Sequence, residues 1–248
     1  MKKIIFIAAI LFSMLSFSQR VYEISFRHVP IENMDEFENL EMNYWSKVVS
    51  DGIKNGHQSS WSLHKRLDAG MINYKEDEAT HAFVNVYENI DQYLNAIKVW
   101  QNAPKILGPD SDRFSTSPIS KTLMIQRYLI EDNLDSGEEG KYAIWNYAKP
   151  DDLSGFISEN TKLWKPYFKS HMKTSDMVAW GVGSRIYPAN QNSSTVMTWD
   201  VFKTLKGAMS HISGLSVPDS VVEKSKMNEY NPDGFSYRVI WQALKRVN

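Results

Sequence analysis

Four tryptophans constrain this chain more than any other feature. Trp45 and Trp61 are each followed 119 residues later by Trp164 and Trp180, and Tyr22 and Pro30 are followed 120 residues later by Tyr142 and Pro150. A one-residue slip in the first loop reconciles the two offsets. Self-similarity at so long a period marks duplicated units. In a chain of 248 residues it divides the sequence into two halves of small-domain size.

The surrounding patterns agree with this division. Residues 21–28 alternate and are rich in strand formers, and Pro30 ends them. Asn33 with Glu36 reads as the cap of a helix in which Met34, Phe37, Leu40, Tyr44, Trp45 and Val48 recur at helical spacing as far as Gly52 and Gly56. Strands are expected at 59–67 and 79–87. Asn89 and Gln92 open a second capped helix whose Ile90, Tyr93, Leu94, Ile97 and Trp100 are expected to face the sheet, and a fourth strand follows at 121–130. The second half repeats the order: strand 142–148, helix 152–171, strands 178–186 and 195–202, helix 205–215 and strand 235–244. An acidic, turn-rich stretch at 132–140 reads as the linker between repeats 20–131 and 141–248.

Strand-helix-strand-strand-helix-strand is the ferredoxin-like plan of an α+β fold, with helices on one face of an antiparallel sheet. Both faces of each expected sheet carry large apolar groups, so two copies cover each other by packing their sheets face to face into a barrel. The tandem pattern resembles the dimeric α+β barrel superfamily in fused form. The signature Trp61-Ser-Leu-His64 followed by Ala82-Phe-Val-Asn-Val-Tyr87 resembles exported Bacteroidetes members of it. The resemblance spans roughly residues 20–248. It implies a monomer with an internal pseudo-dimer and a range of chemistries: cofactor-free or haem-dependent monooxygenases, chlorite dismutase-like haem proteins, and NIPSNAP-type proteins. Fold does not choose among them.

Lys2 and Lys3, the apolar run 4–15 and the polar stretch 16–19 have the three-part layout of a secretory signal peptide, placing residues 1–19 in an export signal and the mature protein in the periplasm or outside the cell. The apolar run is too short for a bilayer-spanning helix, so no membrane association is expected after cleavage. The chain has no cysteine, which removes disulfides and thiol catalysis. Without residues 1–19, 26 basic residues face 29 acidic ones, a balance that disfavours nucleic acid as a partner.

Site chemistry is thinner. Asn85 and Asp200 alternate with apolar neighbours on the third strand of each half, on a face shared with Phe83 and Tyr87, while Ala82, Val84 and Val86 look like the helix-packed face. Asp200, Asn85 and His64 are the candidates for proton handling. Trp61, Trp180, Phe83, Asn85, Tyr87 and Asp200 are the candidates for ligand contact. His64 and His81 at a hairpin end, with Asp68 and Glu78, have ligand-type side chains, but Gly183 and Met197 stand near the equivalent second-half positions, so no metal site is expected. His211, on the second helix of its half, and Asn146, on the first strand, superficially resemble haem-protein positions. Segment 205–211 lacks the rest of that pattern, so His211 reads as an ordinary helix-surface residue and no cofactor is expected, with haem kept as the alternative. The leading function is lumenal binding of a small apolar or aromatic molecule. The alternatives are a monooxygenase-type oxidoreductase and a structural or interaction module. A lumen filled with aromatic side chains would remove the first two.

Overall fold

A computed structural model describes residues 19–214 and 217–248. The expected export signal therefore lies, but for Gln19, outside the described residues. Eight strands, β1 (Val21–His28), β2 (Ser60–Arg66), β3 (His81–Tyr87), β4 (Lys121–Asp135), β5 (Tyr142–Ala148), β6 (Met177–Tyr187), β7 (Val196–Phe202) and β8 (Phe235–Val247), close into a barrel in the order β1-β3-β2-β8-β5-β7-β6-β4. Every neighbouring pair is antiparallel. Closure leaves no unpaired sheet edge. Helix α1 (34–54) lies outside the first four strands and α5 (153–171) outside the last four, each continuous through a π-helical turn, Glu41–Trp45 and Asn160–Trp164. Shorter helices α2 (Ile90–Leu94), α3 (Ile97–Gln101) and α4 (Ala103–Leu107) follow β3, and α6 (Leu205–Ser213), α7 (Asp219–Val222) and α8 (Met227–Tyr230) follow β7. No described helix is long and apolar enough to cross a membrane.

Three apolar layers result. Ile24, Phe26, Val84, Tyr128, Trp145, Trp199 and Trp241 belong to the cluster inside the barrel. Phe37, Val49, Trp61, Leu63 and Phe83 pack between the first-half strands and α1. Ile144, Phe156, Phe168, Trp180, Phe202 and Ile240 pack between the second-half strands, α5 and α6. All seven residues of β3 are buried. A strand covered on both faces need not alternate in polarity, so alternation is a poor guide to which face is inside.

The structure reverses the expected faces: Ala82, Val84 and Val86 point into the barrel, and Phe83 packs against α1. The cause is volume. The interior already holds three tryptophans and takes small residues from β3, while the wider sheet-helix layers take the rings. At Gly181 a Cβ would lie 2.0 Å from the Trp199 ring, so only glycine fits there.

Cross-strand partners correct one repeat match. Val21 pairs with Tyr87 and Tyr142 with Phe202, so Val21, not Tyr22, is the topological counterpart of Tyr142. Tyr22 packs on the interior cluster and Tyr142 on the outer one, the inversion a one-residue slip produces. Trp61 pairs with Asn85 and Trp180 with Asp200, like register positions on β2–β3 and β6–β7. The expected linker is shortened, because β4 runs on past a register shift to pair Asp132–Asp135 with β6. Asn33 makes no side-chain cap, the chain entering α1 through a 3-10 turn, whereas Asn89 accepts from the Gln92 amide at 2.7 Å. The second first-half helix breaks into three pieces, and Ile90, Leu94 and Ile97 are exposed rather than facing the sheet, with Val99 as the buried contact.

Glu41, at the first π position of α1, is buried where α5 carries buried Asn160. Its carboxylate accepts from Thr116 Oγ1 at 2.7 Å. Burial pushes its pKa up to about 7, against the opposing effects of the Thr116 hydrogen bond and the Arg27 charge. Between the unfolded value near 4.5 and about 7 the folded chain holds a proton that the unfolded chain releases, so this group removes stability as pH rises through that window. Glu41→Gln is expected to be neutral at pH 4 and stabilising at pH 8, by on the order of 3 kcal/mol, in urea unfolding at the two pH values.

Candidate functional site

The barrel interior is divided rather than filled. Phe26 lies 6.1 Å from both Trp145 and Trp241, and the two tryptophan rings are 5.0 Å apart, a tilted cluster that closes the lumen across its middle. On one side, at the N-terminal ends of β1, β2, β5 and β6, a cavity of about 480 Å³ opens among Tyr22, Val84, Val86, Trp145, Trp199 and His64. On the other side, a second cavity of about 460 Å³ is walled by Phe26, Gln126, Tyr147, Arg185, Val239 and Trp241.

His64, with Ser62, is the polar element of the aromatic inner wall of the first cavity, whose exposed rim carries Asp135, Glu139, Lys141 and Arg246. Ser62 Oγ and His64 Nε2 are 2.8 Å apart, and the imidazole meets Trp145 edge-on at 5.5 Å. Its Nδ1 has no hydrogen-bond partner. Burial, reinforced by the Arg246 charge, lowers its pKa to about 3. The ring is therefore neutral, with one nitrogen donating and one accepting. Across the cavity Tyr22 packs 5.2 Å from Trp199, and burial raises its hydroxyl pKa against Arg20 and Arg246.

Of the seven residues singled out from sequence, His64 alone lines this lumen. Trp61 stacks on Phe83 at 5.8 Å and Trp180 on Phe168 at 5.7 Å, both outside the barrel wall. Tyr87 meets Tyr93 of α2 at 5.5 Å. Asn85 Oδ1 accepts from Gln58 Nε2 at 3.0 Å. Asp200 accepts from Asn146 Nδ2 at 2.7 Å and lies 3.6 Å from His211 Nε2, while Asn146 accepts from Arg238 Nε at 2.8 Å. These polar groups are satisfied within the outer layers, as buried polar groups generally are. His64 and His81 do not converge. Adjacent register positions put His81 on the opposite face, beside Glu38 at 3.1 Å. Among the described residues no three metal-ligating side chains are grouped to hold an ion.

His211 is not a surface residue: its side chain is 7% exposed, between the rings of Phe202 at 5.2 Å and Phe168 at 6.3 Å. A cavity of about 370 Å³ lined by His171, Asp176, Phe202 and Lys206 adjoins the ring, but its Nε2 faces Asp200. Helices α2 to α4 contain no histidine. With its Nε2 turned to Asp200, His211 as placed does not present that nitrogen to a haem iron. Sequence reasoning missed the interior set Trp145, Tyr147, Trp199 and Trp241. The signal was present in β5, where Ala143, Trp145 and Tyr147 alternate with Ile144 and Asn146.

No protein-family profile matches the sequence, and no curated protein matches it. Solved structures do. A provisionally assigned monooxygenase from Fusobacterium nucleatum superposes with a TM-score of 0.60 at 12% identity over 94% of this chain and 95% of its own. An anthrone oxidase-like protein gives 0.55 at 9% identity over 93% of each chain, and a mutant chlorite dismutase from Candidatus Nitrospira defluvii 0.50 at 10% over 94% of each. The chain has the α+β barrel fold of these proteins. At such identities the likeness concerns fold alone.

The His64 environment fixes a pH dependence. Between about 3 and the unfolded value near 6.5 the unfolded chain binds a proton that folded His64 refuses, so this group's stability is present above 6.5 and lost as pH falls. On going from pH 7 to pH 4, wild type is expected to lose on the order of 3 kcal/mol more stability than His64→Gln, by paired urea titrations in which groups common to both proteins cancel.

Proposed function

We propose that this chain is an exported barrel protein that binds a small apolar or aromatic molecule in the mouth lined by His64. The observation that carries the reading is the cavity of about 480 Å³ whose inner wall is Tyr22, Val84, Val86, Trp145 and Trp199 with the Ser62–His64 pair among them, beneath an exposed rim that carries Asp135, Glu139, Lys141 and Arg246. Its size, its aromatic inner wall and the Ser62–His64 pair set within that wall suit a compact ligand with one or two polar substituents. Asp200 and Asn85 have a supporting role in this reading, holding the sheet-helix layers.

The barrel is two fused ferredoxin-like halves, 20–131 and 141–248, acting as a pseudo-dimer within a monomer. Support comes from strand orders β4-β1-β3-β2 and β8-β5-β7-β6, from π turns 119 residues apart, and from the corresponding Trp61 and Trp180. Export to the periplasm or beyond rests on residues 1–19 of the sequence.

The second reading, cofactor-independent monooxygenase-type chemistry, draws on the unpartnered Nδ1 of His64 beside the cavity and on the names of the similar structures. Acidity weighs against it. An imidazole with a pKa of about 3 is a weak base. Taking a proton from a phenol of pKa about 10 would be uphill by roughly 10 kcal/mol.

Titration with fluorescent 1-aminoanthracene is expected to saturate at one site, with Val86→Trp weakening binding at least about tenfold by occupying the mouth. Wild-type affinity in that variant would refute the lumenal site. Oxygen-electrode traces with an anthrone are expected to match buffer, and uptake abolished by His64→Gln would establish the enzymatic reading instead.

A further inference from the structure

The cavity at the opposite mouth has its own chemistry, and it is a chemistry of unanswered donors. Two polar atoms in its wall, Tyr147 Oη and Trp241 Nε1, are buried without a hydrogen-bond partner, in side chains 7% and 2% exposed. Indole N–H is a donor only, and a phenol unable to ionise is foremost a donor. Burial holds the Tyr147 hydroxyl far above its usual pKa. Buried donors left unmatched are costly and uncommon, and two in one cavity wall call for an acceptor.

The cation beside them is also unmatched. Arg185 reaches into the barrel from β6, donating through Nη2 to Tyr128 Oη at 3.1 Å and to Ser194 Oγ at 2.8 Å. Both partners are neutral, and among the described residues no carboxylate lies within ion-pair distance of its guanidinium. The other charges around this mouth are accounted for differently. Arg66 lies over the Tyr74 ring at 4.4 Å and 3.4 Å from Asp68, and Glu78 accepts from the Lys75 amide, with Asp77 beside it in the loop before β3. Gln126, Ser193 and Ser236 add neutral polar groups, and Phe26, Val239, the face of Trp241 and Leu123 make the apolar part of the wall. Tyr237, 48% exposed, stacks on Tyr147 at 6.1 Å and forms the outer rim.

The geometry points to a second binding site at this mouth, for an aromatic monocarboxylate whose ring lies among Phe26, Val239 and Trp241 and whose carboxylate accepts from Tyr147, Trp241 and Arg185. A charged acceptor is favoured over a neutral one because it answers an unneutralised guanidinium as well as two donors. A single compact ring system suits about 460 Å³.

The test is calorimetric titration of the full chain with sodium 1-naphthoate and, as the uncharged counterpart, 1-naphthalenemethanol. Naphthoate is expected to bind at one site at least about tenfold more tightly than the alcohol, and Tyr147→Phe and Trp241→Phe each to weaken naphthoate about tenfold. Tyr147→Phe removes an unsatisfied buried hydroxyl, so the ligand-free variant should melt no lower than wild type while binding less, a combination that a purely packing role for the hydroxyl would not give. Val86→Trp, at the other mouth, is expected to leave naphthoate binding unchanged. Equal affinity for the two probes, wild-type affinity in both phenylalanine variants, loss of binding in Val86→Trp, or no binding at all would each overturn the inference.

Discussion

Closure of the sheet is the constraint on which the rest depends. Two joints achieve it, β2 against β8 and β4 against β6, each joining an early strand to a late one. Once the sheet is closed, every strand has an inside as well as a helix-covered outside, and apolar side chains must be supplied to both. That demand accounts for β3 without an exposed residue, for glycine where Trp199 crosses β6, and for an aromatic content that first looks like a surplus. Most of the rings fill layers and few line cavities.

Much of the architecture was legible from sequence because it rests on local signals. Strand formers bounded by proline and glycine, helical spacing and the recurrence of Trp61 as Trp180 require no knowledge of what packs above or below. The candidate site was far less legible. Alternation identifies two faces of a strand but not which one is enclosed, and where both are buried the usual polarity cue vanishes. Asn85 and Asp200 were therefore drawn to the wrong side of the wall. Two polar residues that do reach the lumen, His64 and Arg185, come from β2 and β6, where the register is set by partners distant in sequence. Tyr22 and Tyr142 illustrate the same limit, being identical residues at nearly the right interval on opposite faces.

The buried ionisable groups show how the fold treats charge. His64, inside the barrel, is held neutral by losing its proton affinity, and Glu41, beneath α1, by gaining it. The two shifts have one cause, the cost of charge away from water. Their effects on stability have opposite slopes with pH and oppose one another in mildly acidic solution. Asn146 and Asp200 are handled by another device, a chain of hydrogen bonds running from Arg238 through Asn146 to Asp200, with His211 3.6 Å beyond.

The Phe26–Trp145–Trp241 cluster turns what would be a tunnel into two blind wells. A molecule that enters either one must leave by the way it came, so the barrel is not built as a conduit. Each well has a different temperament, one holding a neutral imidazole below a charged rim, the other a guanidinium without a carboxylate partner beside two buried donors. With three rings between them, substitutions at one end should add to those at the other with little coupling. Selection could thus have reshaped one well without disturbing the other.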